Sequence, residues 1–136
     1  MIGYRPLNSY DNINYRAVLD LADDSPFGIP RFEIGGASSL RGLEDFDVKG
    51  NARIFSNLEY IRGLRKYPAI RFSLFLDVGN VYDDLGAVDL TNLLYTVGVG
   101  MRWKLESFVE TDLFIDYGYD VERGTGRLYG GTSLPF

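Results

Sequence analysis

Alternation of apolar and polar side chains dominates this chain, and a period of two residues predicts β-strands rather than helices. In residues 93–105, every second position from Tyr95 to Leu105 is apolar, and the positions between them are polar or glycine. Six segments follow the pattern, and we predict a strand for each of them: 13–23, 51–62, 69–82, 93–105, 108–121 and 127–136. The alternation stops between the first two segments, which leaves a long loop over residues 23–50.

The predicted strands are long. Strands of soluble domains average about 5–6 residues, whereas a tilted strand that crosses a membrane needs about 9–11. The apolar faces also carry aromatic side chains near their ends, as at a bilayer interface: Tyr60, Tyr95, Trp103, Tyr117 and Tyr119. Alternation alone would also suit a soluble sandwich, but strand length and aromatic placement favour an all-β, antiparallel transmembrane β-barrel.

Such a barrel has to close, because open strand edges leave backbone groups without partners in lipid. The smallest single-chain bacterial barrels have about eight strands, and the six predicted here fall short of that. We therefore expect either the C-terminal part of a larger barrel or a self-assembly of several copies. The first residues are polar and lack the apolar core of a signal peptide, which favours the first alternative.

Composition narrows the possible functions. The net charge is −5, without the basic patch that nucleic acid requires, so no nucleic-acid partner is expected. Cysteine and histidine are both absent, which excludes cysteine nucleophiles, histidine-based triads and the usual zinc sites within this chain. We expect no catalytic residue, no cofactor and no metal. Glu110, Asp112 and Asp116 share one face of the fifth predicted strand, where we interpret them as solvating a lumen or an exposed surface.

The long loop carries the candidate functional residue. Loops longer than about 12–15 residues are uncommon unless they are functional or disordered, and this one holds Arg41 immediately before a glycine. By alternation, Glu59 and Asp77 both point to the non-lipid side of adjacent strands. A guanidinium could bridge two such carboxylates through charge-assisted hydrogen bonds. The alternative for a lone Arg-Gly pair is a solvated side chain beside a turn.

The loop motif RFEIGGASSLRGL resembles the Gly-Gly…(Val/Leu)-Arg-Gly-(Phe/Tyr) signature of the BamA/TamA superfamily, also called bacterial surface antigens. Leu43 stands where that family usually has an aromatic residue. In the family the signature lies on an extracellular loop that folds back into the barrel lumen. The matching loop residues are Gly35, Gly36, Leu40, Arg41 and Gly42.

The resemblance extends from about residue 13 to residue 136. Residues 50–60 are similar to the family's next strand, with its inward glutamate at Glu59, and residues 74–82 are similar to the strand after it. The latter has a Phe-x-Asp-x-Gly core at Phe75, Asp77 and Gly79. The closing strand is similar to the β-signal that barrel-assembly machinery reads, with Tyr129, Gly131, Leu134 and Phe136.

The resemblance implies a function as well as a fold. It implies the C-terminal strands of a barrel of about sixteen strands in the bacterial outer membrane, where it would insert or translocate other proteins. Its partners would be the lipid bilayer, client outer-membrane or secreted proteins, and the barrel-assembly machinery. Two other interpretations stay open: a barrel that anchors or exports a fused enzyme domain, and a soluble all-β binding domain.

Overall fold

The computed structural model describes residues 1–22, 29–105 and 111–132. Within these residues the fold is all-β, with one 3-10 turn at Leu85–Ala87. No helix in the described part of the chain is long and apolar enough to span a membrane. The strands are β1 (Ile2–Pro6), β2 (Asp11–Leu21), β3 (Phe32–Ile34), β4 (Val48–Gly50), β5 (Ala52–Gly63), β6 (Ile70–Tyr82), β7 (Leu94–Leu105), β8 (Thr111–Asp120) and β9 (Thr125–Gly131).

Seven of these strands form one antiparallel sheet in the order β1-β2-β5-β6-β7-β8-β9. Each strand pairs with its neighbour in sequence, except that the long loop between β2 and β5 contributes a separate two-stranded hairpin, β3-β4. The all-β, antiparallel prediction is therefore confirmed. Over the described residues the sheet is not closed, and β1 and β9 form its two edges.

The predicted strands agree with the observed ones except near their ends. The structure adds β1, which alternation did not indicate because it is short, contains a glycine and ends in a proline. Five strands of the large sheet follow the long loop, in agreement with the five alternating segments predicted after it. Leu134 and Phe136 of the predicted closing strand lie outside the described residues, as do residues 23–28 of the long loop and Glu110.

The two faces of the sheet have burial opposite to that of a soluble protein. On β7, the apolar side chains of Tyr95, Val99 and Trp103 are about half exposed, at 47%, 52% and 47%. The polar Thr96 and Arg102, on the opposite face of the same strand, are 0% exposed. A sheet in water normally buries its apolar face. An exposed apolar face backed by a buried polar face is the arrangement of a membrane barrel wall.

The long loop covers the polar face. Its residues Ile34, Leu40 and Leu43 form a small apolar core with Phe55 of β5 and Val81 of β6. This core holds the loop against the inner side of the sheet. It lies near the end of the sheet where β2 stops and β5 begins. The fold therefore brings the Arg-Gly motif directly over the polar side chains of the middle strands.

Connections differ in length between the two ends of the large sheet. At one end, residues 7–10 join β1 to β2, and residues 64–69 join β5 to β6. At the other end lie the long loop, the connection over residues 83–93 and the short turn over residues 121–124. Bacterial outer-membrane barrels have short periplasmic turns and longer extracellular loops. We name these ends the short-turn end and the long-loop end.

Candidate functional site

Glycines give the loop tip its shape. Gly35 and Gly42 have backbone φ angles of 128° and 124°, values that other residues rarely adopt. A Cβ atom on Gly35 would lie only 1.9 Å from the carbonyl oxygen of Glu44. The Ser39 hydroxyl, 4% exposed, accepts a hydrogen bond from the Gly35 amide at 2.7 Å and donates one to the Gly35 carbonyl at 2.9 Å. These bonds close the turn that presents Arg41.

Arg41 is held by three carboxylates. Its Nε and Nη2 donate to the two oxygens of Asp77 at 2.9 and 2.8 Å, and its backbone amide donates to the same carboxylate at 3.0 Å. Nη1 lies 3.2 Å from Glu59 Oε1 and 3.3 Å from Asp116 Oδ2. The guanidinium also stacks on the ring of Phe75, with 3.6 Å from Cζ to the ring centroid. The hydrogen-bond donors of Arg41 therefore point at side chains of the sheet rather than at water.

A second arginine completes the cluster from the sheet itself. Arg102 of β7 donates through Nη2 to Glu59 Oε1 at 2.8 Å and to Asp116 Oδ2 at 3.0 Å, and through Nη1 to the other oxygen of Asp116. Two cations thus share three carboxylates, and none of the five side chains is more than 1% exposed. We call Arg41, Arg102, Glu59, Asp77 and Asp116 the buried charge cluster.

Burial and neighbouring charges have opposite effects on the pKa of Arg41. Burial by itself would lower the pKa of Arg41. The hydrogen bond to Asp77 and the charges of Asp77, Glu59 and Asp116 outweigh burial and raise the pKa above the ordinary arginine value. Arg41 is therefore a permanent cation in this site, and the cluster can hold a backbone segment in place but cannot exchange protons through this group.

Glycines on β7 and β8 make room for the loop. A Cβ atom on Gly118 would lie 2.3 Å from the carbonyl oxygen of Arg41, and one on Gly100 would lie 2.1 Å from Asp116 Oδ1. A Cβ atom on Gly98 would lie 2.2 Å from the Phe75 ring. A side chain at Gly118 would displace the loop tip, one at Gly98 would displace the Phe75 ring, and one at Gly100 would displace the Asp116 carboxylate. The inner face of β7 and β8 therefore has the space in which the Arg-Gly motif packs.

A family comparison agrees with this geometry. The model of the Omp85 superfamily domain matches residues 3–108. The chain belongs to the Omp85 superfamily. No curated protein matches it. The matched Omp85 region runs from β1 through β7, so it contains the loop motif, Glu59, Asp77 and Arg102, whereas Asp116 and β9 follow it.

Membership in Omp85 confirms the family resemblance. It indicates the outer-membrane assembly and translocation class of proteins and implies the bacterial outer membrane. Members of this class are not enzymes. Among the described residues, no group of three or more Asp or Glu side chains is arranged to hold a metal ion. The ion pairs of Arg41 with Asp77, Glu59 and Asp116 can bind and position a chain segment.

The structure brings most predicted Omp85 site residues to one place. Gly35, Gly36, Leu40 and Gly42 lie with Arg41 in the turn at the loop tip, and Phe75 lies beneath the Arg41 guanidinium. Gly79 sits further along β6, where a Cβ atom would lie 2.4 Å from Cβ of Phe55. Leu43, at the position where the family usually has an aromatic, is 1% exposed and packs in the small apolar core.

The predicted closing-strand residues separate into two groups. Tyr129 faces inward and donates its hydroxyl to the carbonyl of Leu43, so in this fold it contacts the loop tip. Gly131 pairs with Phe114 on β8. Recognition of these residues by assembly machinery stays a prediction.

Sequence reasoning missed several members of the site. The interpretation of Asp116 as a residue that solvates a lumen or an exposed surface is wrong, because its side chain is 0% exposed and paired with two arginines. Alternation puts Arg102 on the polar face of its strand but indicates no partner for it. Asn57, on the polar face of β5, donates to the Ser39 carbonyl and accepts from Arg16 Nε at 2.9 Å. Strand phase was the available signal for all of them, but phase does not say which side chains meet.

Proposed function

We propose that this chain forms part of the wall of an outer-membrane Omp85 barrel that inserts or translocates other proteins. We further propose that its long loop is fixed in the lumen by Arg41. The observation that carries the proposal is the complete burial of Arg41 among Asp77, Glu59 and Asp116, on the side of the sheet opposite an exposed apolar face.

The apolar face supports the membrane part of the proposal. Leu58, Leu74 and Val97, on three successive strands, are 49%, 58% and 41% exposed. Such a continuous apolar surface is costly in water but favourable against lipid tails. The free edges at β1 and β9 then require strands that pair with them, from the same polypeptide or from further copies, because a bilayer offers their backbone groups no other partner.

The buried charge cluster supports the loop part. Removing a guanidinium from water is costly unless its donors are satisfied, and here the carboxylates satisfy it from three different strands: β5, β6 and β8. Side-chain contacts on both sides of the tip add to this: Asn57 binds Ser39, and Tyr129 binds Leu43. A loop held at its tip in this way has a defined position, so it shapes the inner surface that a passing or inserting chain would meet.

Depletion of the full-length protein tests the function. In the source bacterium, with the gene under a repressible promoter, we expect depletion to lower the folded fraction of other outer-membrane barrel proteins or the export of a secreted protein. Heat-modifiable electrophoresis and proteomics of the outer membrane and medium measure these two readouts. If neither readout changes as the protein disappears, assembly and translocation are both excluded.

Complementation with variants then tests the loop. We expect Arg41→Ala to restore much less of the lost activity than the wild-type gene, because the carboxylates are left without their cation and the loop tip is released. Arg31→Ala removes an exposed arginine from the same loop and serves as the matched control. Equal complementation by both variants, at equal folded levels, would show that Arg41 does not position the loop for function.

A further inference from the structure

Exposed basic side chains gather at the short-turn end of the sheet. They are Arg5 on β1, Arg62 near the end of β5, and Arg65 and Lys66 in the connection 64–69. We call these four residues the basic rim. Arg62 is 68% exposed and has only a weak contact with an acid, 3.8 Å from Nε to Asp11 Oδ1. Within the described residues, no carboxylate is paired with Arg5, Arg65 or Lys66.

Two members of the basic rim, Arg5 and Arg62, lie on the lipid side of the proposed wall. Arg5 pairs with Ile13, which pairs in turn with Tyr60, and residues paired directly across strands share a face of the sheet. Arg62 pairs with the outward Phe72 of β6 by the same rule. The guanidinium of Arg65 lies 5.6 Å from the ring centroid of Tyr10. Arg5 and Arg62 therefore continue the apolar face directly, and Arg65 and Lys66 lie in the turn that follows Arg62.

The opposite end has the opposite charge. The connection 83–93 carries three exposed carboxylates, Asp83, Asp84 and Asp89, and has no basic residue. The arginines that follow β8 at that end are paired with acids of the long loop, Arg123 with Asp47 and Arg127 with Glu44. At the short-turn end Arg71 is paired with Asp112 and Arg62 lies near Asp11, but Arg5, Arg65 and Lys66 have no paired acid among the described residues. The proposed position in the membrane puts these three cations at the level of the lipid headgroups.

We infer that the basic rim binds the phosphate groups of anionic phospholipids in the leaflet that borders the short turns. This rests on the proposed function, which places the apolar face in a bilayer. Guanidinium groups bind phosphate oxygens through bidentate hydrogen bonds. Clustered basic residues beside a membrane attract anionic lipids. Short turns of outer-membrane barrels face the periplasm, so the leaflet is the periplasmic one.

The test uses the purified full-length protein in nanodiscs of phosphatidylcholine that contain a minor fraction of phosphatidylglycerol. Native mass spectrometry of the protein released from the nanodiscs measures which lipid is retained. We expect the wild type to retain phosphatidylglycerol above its bulk fraction. The double variant Arg65→Gln/Lys66→Gln should lose this enrichment, by about fivefold for each cation removed if each acts at full strength.

The control carries the same loss of charge at the other end of the sheet. Arg31→Gln/Lys49→Gln removes two exposed cations from the long loop and should leave the enrichment unchanged. Heat-modifiable electrophoresis shows whether each variant is folded. Should the double variant fail to fold, the salt dependence of the wild type decides: screening by concentrated NaCl has to abolish enrichment at the rim.

Three results would overturn the inference: no enrichment in the wild type, equal loss in both double variants, or enrichment that concentrated salt leaves intact. A basic rim that instead docks a periplasmic protein would give the first result. These failures are distinct from failure of the proposed function, because the depletion experiment reads client assembly and export without reference to lipid charge.

Discussion

At the residue scale, the unusual feature is that the largest fully buried side chains include two arginines and four carboxylates, three of which belong with both arginines to the buried charge cluster. Breaking such a cluster by removing one member leaves an uncompensated charge out of water. Asp77 is the central acid, since it binds the side chain and the backbone amide of Arg41 together. Arg41 and Asp77 should therefore be energetically coupled and not merely adjacent.

A double-mutant cycle measures this coupling. We expect Arg41→Ala and Asp77→Ala each to lower the free energy of unfolding by roughly 3–5 kcal/mol. The double variant should lose less than the sum, with a coupling of about 0.5–3 kcal/mol. Urea titration of the full-length protein refolded in lipid vesicles gives these values, and Arg31→Ala is the matched control with little expected change. Strict additivity of the two single substitutions would contradict a direct pair.

At the scale of elements, the loop tip depends on how closely β8 approaches it. The missing side chain of Gly118 leaves the space that the Arg41 carbonyl fills. The glycine of β9 at position 130 is different, because a Cβ atom there would meet its nearest neighbour at an ordinary 3.4 Å. These two glycines, one on each of two paired strands, make a matched comparison.

We expect Gly118→Ala to lift the loop tip from the sheet and Gly130→Ala to leave it in place. The chain has no cysteine of its own, so a single Ala37→Cys substitution in a background without other cysteines reports on the tip. Reaction of this half-buried position with a water-soluble maleimide should accelerate strongly in the Gly118→Ala background only. Equal rates in both backgrounds would show that β8 does not support the tip.

Much of this element-level arrangement could be read from the sequence. The strands were predictable because lipid-facing and inward-facing residues alternate with a period of two, and the same phase put Glu59 and Asp77 on the inner side. The ion pair between Arg102 and Glu59 was not predictable, because the two residues lie on β7 and β5 with β6 between them. Gly100 leaves the space that the Arg102 guanidinium uses, since a Cβ atom there would lie 2.8 Å from Arg102 Nη1. Alternation says nothing about such contacts across strands.

At the scale of the whole molecule, the large sheet exposes its apolar face and buries its polar face, which is the reverse of a sheet in water. Exposure alone does not separate a lipid-facing residue from a solvent-facing one. Val99, in the middle of β7, and Val121, in the turn after β8, are 52% and 54% exposed. In water the same substitution at either position should have a similar, small effect. In a bilayer the two positions differ, since one lies near the midplane and the other lies outside the strand.

We therefore expect Val99→Arg to destabilise the folded barrel by about 2–4 kcal/mol and Val121→Arg by about 0–1 kcal/mol. The physical reason is that a guanidinium at the middle of β7 has to leave water, whereas one in the turn keeps its hydration. The measurement is the free energy of unfolding of the full-length protein in vesicles, with both variants checked for the heat-modifiable folded band. Equal, small effects at the two positions would mean that the apolar face meets water or another protein surface, and the membrane assignment of this sheet would then be wrong.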